Sequence, residues 1–239
     1  MESWQFQLDG LADRYRLIAF DNRGAGRTAM PEAPATVEAM ADDAAGVLRA
    51  LGVTSAHVAG FSGGSIISQE LALPIRTSYA ASCCRAPGWR RTLPPPLGCV
   101  RPLAGRGRPE RTGVPGVVLP LDLYAARHND GTVDEFIEEV LAFPHRQAPE
   151  DVQRFLDAFF AREDPSDRLP EVAAPTLVLA GGRDQTMRPE ICQAVAELIP
   201  DAQFEVIEQE AHQPFQEIPD EWNARVDAFW REVEGARTP

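Results

Sequence analysis

The sequence contains no lysine: all 23 basic residues are arginine, and 36 acidic residues leave a net charge of −13 over 239 residues. A chain this acidic repels phosphate backbones and anionic bilayers, so neither nucleic acid nor a membrane surface is expected as a partner. Long apolar runs are also lacking, and none approaches the length that crossing a membrane requires. Small molecules or proteins are therefore the expected partners. The oligomeric state is not predicted.

Cysteine is scarce, with four residues, of which Cys83 and Cys84 are adjacent. They form neither the spacing of a metal site nor a disulfide framework, so no metal is expected. The first residues, Met-Glu-Ser-Trp, do not resemble a signal peptide, and we expect a cytoplasmic protein. The length and the 44% of hydrophobic residues allow a substantial core.

Most of the chain alternates between strand and helix patterns. Short apolar runs predict strands at 15–21, 56–61, 175–180 and 204–207. Apolar residues at helical spacing predict helices over 37–51, 63–73 and 189–199, and a C-terminal helix with Trp222, Val226, Phe229 and Val233 on one face. Gly52 is placed to end the first helix. The pattern predicts an α/β fold in which helices flank a mostly parallel sheet.

Two further helices interrupt this alternation. One, over 132–141, opens with the capping box of Thr132 and Glu135, and the other carries an apolar stripe over 152–160. We expect them to form a small helical cap at 121–169, inserted into a core made of 1–74 and 170–239.

Residues 75–120 differ in composition from the rest of the chain. The window holds eight arginines and one acidic residue, a charge of +7, whereas the remaining residues carry −20. Pro94, Pro95 and Pro96 exclude a regular element there. The stretch Tyr79–Cys84 resembles a core strand in position but lacks β-branched apolar residues. One hypothesis is a segment read in a shifted frame of a GC-rich gene, and the other is a divergent, basic, proline-rich lid.

The segment Gly60-Phe61-Ser62-Gly63-Gly64 lies where a predicted strand meets a predicted helix. Gly-x-Ser-x-Gly in this context is typical of a nucleophile elbow, in which the serine adopts a strained conformation between small neighbours. The helix that follows directs free amide groups, beginning with Gly63, toward an oxyanion next to the hydroxyl. Glycine-rich turns also bind phosphates or simply make tight corners, which is the alternative interpretation.

A serine nucleophile needs a histidine base and an orienting carboxylate. Asp184 follows the 175–180 strand and His212 follows the 204–207 strand, in the chain order Ser, Asp, His. Because parallel strands end at one edge of a sheet, Ser62, Asp184 and His212 are expected to meet there. Alternatively, Asp184 caps a helix and His212 is a loop residue. Glu210 is a weaker candidate for the acid because it adjoins His212 in sequence.

These landmarks resemble the α/β-hydrolase family over residues 3–74 and 122–233. The resemblance rests on Asp21–Gly26, Gly60–Gly64, Gly181–Asp184 with Pro189, and the His212 segment. It implies an esterase-like or enol-lactonase-like serine hydrolase that acts on a small carboxylic ester or lactone without a cofactor. In that comparison Ser62 is the nucleophile, His212 the base, Asp184 its orienting acid, and the Gly63 amide an oxyanion donor. A carbon–carbon bond hydrolase and a non-catalytic remnant are the alternatives.

Members of that family also have a strand and a His-Gly loop before the position of Trp4, and the loop supplies a second oxyanion amide. Because this sequence starts after that position, we expect a core that is incomplete at its N-terminus.

Three further histidines and an acidic cluster have simpler interpretations. His57 is expected to be structural, and His128 and His145 lie on the surface or line a pocket. The cluster Asp134, Glu135, Glu138 and Glu139 is expected to be a solvated helix face.

Overall fold

The computed structural model describes residues 2–73, 80–82, 131–132, 135 and 148–236. Within these ranges the strands are β1 (His57–Ala59), β2 (Ala80–Ser82), β3 (Thr176–Gly181) and β4 (Ala202–Ile207). The α-helices are α1 (Gln5–Leu11), α2 (Val37–Ala50), α3 (Gly63–Ala72), α4 (Pro149–Ala161), α5 (Pro189–Ala196), α6 (Pro214–Glu217) and α7 (Pro219–Ala236). Short 3₁₀ turns occupy Glu2–Trp4 and Leu169–Glu171.

The described strands form one parallel sheet in the order β1-β2-β3-β4. β3 and β4 pair over six residues, from Thr176 opposite Ala202 to Gly181 opposite Ile207. Since all four strands run in one direction, the loops that follow β1, β3 and β4 leave from the same edge. Together with the flanking helices, this sheet confirms the predicted α/β class.

The core lies on both faces of β3, whose six residues are all buried. Leu177 and Leu179 pack into a cluster with aromatic and aliphatic side chains of α7. Val178 and Ala180, which point the opposite way, pack against Cys192 of α5. Alternate residues of β3 therefore pack into two hydrophobic layers, one on each side of the sheet.

Helix α2 follows its predicted bounds closely. Thr36 begins it, with Oγ1 accepting a hydrogen bond from the Ala39 amide at 3.1 Å. Val37 and Met40 are fully buried against α3 and α4. Gly52, with φ of +67°, follows the helix in the left-handed conformation, as its position predicted.

The prediction of a strand over residues 15–21 was wrong. The side chains alternate as in a strand, because Tyr15 and Leu17 contact the α7 side of the core and Ile18 contacts the α2 side. However, none of these residues forms a sheet ladder with another described residue. A strand needs a neighbour that exchanges backbone hydrogen bonds with it, and within the described residues β1 pairs with β2 alone.

The unusual window contributes a strand to the sheet. Ala80–Ser82, inside the Tyr79–Cys84 stretch, forms β2 between β1 and β3. The other residues of 75–120 lie outside the described residues, as do His128, His145 and, apart from Thr132 and Glu135, the helix expected over 132–141. The shifted-frame hypothesis and the division into core and cap therefore stay predictions.

Candidate active site

Ser62 lies at a sharp turn between β1 and α3. Its φ of +48° and ψ of −116° make it the one non-glycine residue with positive φ in the described ranges. Such a conformation costs about 1–3 kcal/mol and persists only where the surroundings enforce it. Here Ser65 Oγ donates to the Ser62 carbonyl at 2.6 Å, and the Gly64 amide donates to the Phe61 carbonyl at 2.7 Å. The turn therefore holds the Ser62 side chain at the C-terminal edge of the sheet.

Gly60 shows why this turn needs small residues. A Cβ atom on Gly60 would lie 2.5 Å from the Gly64 carbonyl oxygen and would also overlap Ser68 Oγ. The strand can fold back onto its own helix only without that atom. The glycine in the sequence motif is thus explained by close packing of backbone on backbone.

Asp184 is fixed by the turn that follows β3. Its Oδ1 atom accepts hydrogen bonds from the amides of Thr186 and Met187, both at 2.7 Å. The residue is 5% exposed. Asp184 thus holds the turn before α5, which resembles the helix-capping role given as the alternative interpretation. Its second oxygen, Oδ2, remains available to another donor.

His212 connects Asp184 to Ser62. Its Nδ1 atom lies 2.7 Å from Asp184 Oδ2, and its Nε2 atom lies 3.2 Å from Ser62 Oγ. The histidine is 7% exposed. The structure therefore brings together the three residues that the sequence singled out, and the hydrogen bond on Nδ1 goes to Asp184 rather than to Glu210. With Nδ1 protonated, Nε2 can accept the Ser62 proton.

Gly181, the last residue of β3, lets the His212 loop approach the sheet. A Cβ atom there would overlap the Ala211 carbonyl oxygen and lie 2.7 Å from that of Glu210. The Arg183 amide donates to the Glu210 carbonyl at 2.9 Å. The loops that carry Asp184 and His212 are therefore joined backbone to backbone.

An aromatic group that the sequence analysis did not identify supports the imidazole. The Phe61 ring lies 4.9 Å from the His212 ring and 4.6 Å from Phe215, which in turn lies 4.7 Å from Trp4. Contacts of this kind restrict ring rotation and exclude water. The only signal in the sequence is the position of Phe61 inside the Gly-x-Ser-x-Gly segment.

Gly63 begins α3 directly after Ser62. The Gly63 amide, in the first turn of the helix, has no acceptor within the helix, so it can donate to a negative charge near the Ser62 hydroxyl. Phe159 of α4 covers this residue: a Cβ on Gly63 would lie 3.1 Å from Phe159 Cζ, and Phe159 is 5% exposed. Gly63 therefore packs against an apolar ring, and apolar surroundings strengthen hydrogen bonds to charge.

A cavity of about 40 Å³ adjoins Ser62 and His212, and its walls include Leu179, Cys192 and Trp222. It is large enough to hold water beside the Ser62 and His212 side chains. In the described ranges, no three His, Cys, Asp or Glu side chains converge to form a metal site. His57 contacts Glu234 and stacks on Trp230, both of α7, which agrees with its expected structural role.

The fold and this edge of the sheet define a hydrolase-type enzyme. The chain belongs to the alpha/beta hydrolase family, whose sequence profile matches residues 1–225. This membership confirms the resemblance drawn from the sequence. No helix in the described part of the chain combines the length and hydrophobicity that crossing a bilayer requires.

Individual relatives are also hydrolases. The chain is 31% identical over 237 residues to RutD of Azorhizobium caulinodans, a provisionally assigned carbamate hydrolase, covering 97% of this chain and 87% of that protein. Among solved structures, a thermophilic esterase from Thermogutta terrifontis matches with a TM-score of 0.76 and 26% identity, covering 97% of this chain and 85% of that one. Est816, an N-acyl homoserine lactone degrading enzyme, matches with a TM-score of 0.73 and 25% identity, covering 95% and 87%.

Proposed function

We propose that this protein is a serine hydrolase that cleaves a small carboxylic ester or lactone through an acyl-enzyme on Ser62. The observation that carries the proposal is the continuous chain of hydrogen-bonding groups from Asp184 through His212 to Ser62, at 2.7 and 3.2 Å. The similarity to an esterase and to a lactone-degrading enzyme supports this class of substrate. We place the reaction in the cytoplasm, as the sequence analysis expected.

In the first step, Ser62 Oγ attacks the carbonyl carbon while His212 Nε2 accepts its proton. The Asp184 carboxylate holds the proton on Nδ1 and stabilises the imidazolium that forms. The Gly63 amide donates a hydrogen bond to the oxyanion. When the carbon–oxygen bond to the leaving group breaks, His212 returns the proton to that oxygen, and the acyl group remains on Ser62.

In the second step, His212 accepts a proton from water, and the resulting hydroxide attacks the acyl carbon. The bond to Ser62 Oγ then breaks, and His212 returns its proton to that oxygen. The acid product leaves and the enzyme is restored. Each proton transfer uses the chain's own side chains, so this mechanism calls for no cofactor or metal.

We extend the proposed substrates to carbamates, because the relative with 31% identity is a provisionally assigned carbamate hydrolase. A carbamate presents a carbonyl carbon with a leaving group, as an ester does. The same nucleophile, base and oxyanion donor therefore serve both.

The test is a panel of small esters, lactones, carbamates and diketones, assayed with the wild type, Ser62→Ala and Ser55→Ala. Ser55 is an exposed serine in the loop before β1, which makes it a matched control. We expect Ser62→Ala to lose about 10⁴-fold or more in turnover and Ser55→Ala to match the wild type. Equal activity of Ser62→Ala and Ser55→Ala on every compound would contradict the proposal. Activity on diketones alone would favour a carbon–carbon bond hydrolase.

A further inference from the structure

The ring of Phe159 lies against the residue that follows the nucleophile. A Cβ on Gly63 would be 3.1 Å from Phe159 Cζ and 3.4 Å from its Cε2, so the ring already fills the space that a side chain at position 63 would occupy. Phe159 belongs to α4, far from the nucleophile in sequence, and is 5% exposed. The mechanism above assigns the ring no role.

Contacts on several sides hold the Phe159 ring in place. Phe155, on the same helix, packs edge-on against it with the ring centroids 4.7 Å apart. Phe159 also belongs to the hydrophobic cluster of α2 and α3. Arg154 ties α4 to the loop before α2, because its Nη2 atom donates to the carbonyls of Pro31 at 2.7 Å and Ala33 at 2.9 Å. The ring therefore cannot move away from the elbow without breaking these contacts.

The proposed reaction fixes which part of an ester lies on each side of Ser62. The oxyanion faces the Gly63 amide, and the leaving-group oxygen faces His212 Nε2, from which it takes its proton. One substituent of the carbonyl carbon remains, namely the acyl group. With the leaving group on the His212 side, the acyl group extends away from His212.

His212 and Phe159 pack in different parts of the core. The His212 ring lies 4.9 Å from Phe61, which packs against the cluster of α7. Phe159 packs instead in the cluster of α2 and α3. The two sequence neighbours of Ser62 thus face different rings, since Phe61 contacts the imidazole and Gly63 contacts Phe159. The Phe159 ring therefore covers the side of the nucleophile away from His212.

We propose that Phe159 is a specificity-determining residue whose ring closes the acyl side of the site and restricts the enzyme to esters with a short, apolar acyl group. The inference rests on the proposed function, since it requires an acyl-enzyme on Ser62. An acetyl group adds only a methyl to the carbonyl carbon, whereas a hexanoyl chain must displace the ring. The ring has no charge and no hydrogen-bonding group, so it offers no partner to a charged acyl group.

The experiment compares kcat/KM for p-nitrophenyl hexanoate with that for p-nitrophenyl acetate in the wild type, Phe159→Ala, Phe159→Leu and Leu156→Ala. Leu156, on the same helix and 41% exposed, is the matched control. We expect the hexanoate-to-acetate ratio to rise by about tenfold or more in Phe159→Ala, to rise less in Phe159→Leu, and to keep the wild-type value in Leu156→Ala. Because one preparation is assayed on both substrates, a lower folded fraction cancels in the ratio. Phe159→Leu keeps a large apolar side chain and carries the test if Phe159→Ala does not fold.

A second substrate pair tests the assignment to the acyl side. Ethyl acetate and hexyl acetate share the acetyl group and differ in the alcohol, and their ratio of kcat/KM, followed by acid release, should be the same in the wild type and both Phe159 variants. A change in this ratio without a change in the hexanoate-to-acetate ratio would overturn the inference. An equal hexanoate-to-acetate ratio in Phe159→Ala, Phe159→Leu and Leu156→Ala would overturn it too. If Ser62→Ala hydrolyses p-nitrophenyl acetate as fast as the wild type, the proposed function itself is wrong.

Discussion

Replacing Asp184 with asparagine should change the proton on His212 and leave the fold intact. Asp184 Oδ1 accepts two amide hydrogen bonds, from Thr186 and Met187. Only an oxygen can accept them, so the asparagine must keep its oxygen there and turn its NH₂ group toward His212 Nδ1. His212 Nδ1 must then accept a hydrogen bond from this NH₂ group, so the imidazole proton moves to Nε2, facing Ser62 Oγ.

The imidazole in that tautomer cannot accept the Ser62 proton. Loss of the correct tautomer through this change costs a serine hydrolase about 10⁴-fold in turnover, or about 5.4 kcal/mol of transition-state stabilisation. The unfolding temperature should change little, since the turn keeps its two amide hydrogen bonds.

The assay measures initial rates of hydrolysis of a chromogenic ester, p-nitrophenyl acetate, together with thermal unfolding. Asp157→Asn is the matched control, because Asp157 is an exposed residue of α4 that bonds only to a neighbouring glutamine among the contacts described. A kcat/KM of Asp184→Asn that lies within about tenfold of the value for Asp157→Asn would refute this reasoning.

Three further substitutions test the packing and one electrostatic contact. Gly60→Ala should lower the free energy of unfolding, measured by denaturant titration, by about 1–3 kcal/mol, because the new Cβ would lie 2.5 Å from a carbonyl oxygen. Phe159→Ala should cost about 3–4 kcal/mol in the same titration, whereas Leu156→Ala, 41% exposed on the same helix, should cost about 0.5 kcal/mol; equal costs would contradict the covering of the elbow. Asp227→Ala should lower the pKa of Tyr15 from about 12 toward 10, since burial and then Asp227 raise it; an unchanged tyrosinate absorbance titration would exclude this coupling.

Local patterns were enough to predict most of the sheet and its helices. β3 was found because a buried strand of a parallel sheet is a nearly continuous apolar run, and β4 because of the short apolar run at 204–207. α2 and α7 were found because their buried residues recur at helical spacing. The meeting of Ser62, Asp184 and His212 followed from one topological fact, namely that parallel strands end at a common edge.

Features that depend on distant neighbours were not predictable in the same way. Residues 15–21 have the side-chain pattern of a strand, but a sheet ladder also needs a neighbouring strand, and the pattern does not show whether one lies alongside. Ala80–Ser82 forms a strand although alanine and serine give no strand signal, because β1 and β3 supply the backbone partners on both sides.

Contacts between distant parts of the chain were also missed. Phe61 against His212 and Phe159 against Gly63 each join segments far apart in sequence. The spacing of apolar residues in the sequence does not show which distant side chains the fold brings together.

The most direct measurement is covalent labelling of the intact protein with a fluorophosphonate, followed by peptide mass mapping, for the wild type and Ser62→Ala. If His212 activates the Ser62 hydroxyl, one adduct forms on the peptide that contains Ser62, and Ser62→Ala remains unlabelled. An unlabelled wild type, or equal labelling of both proteins, would contradict a reactive serine at this position.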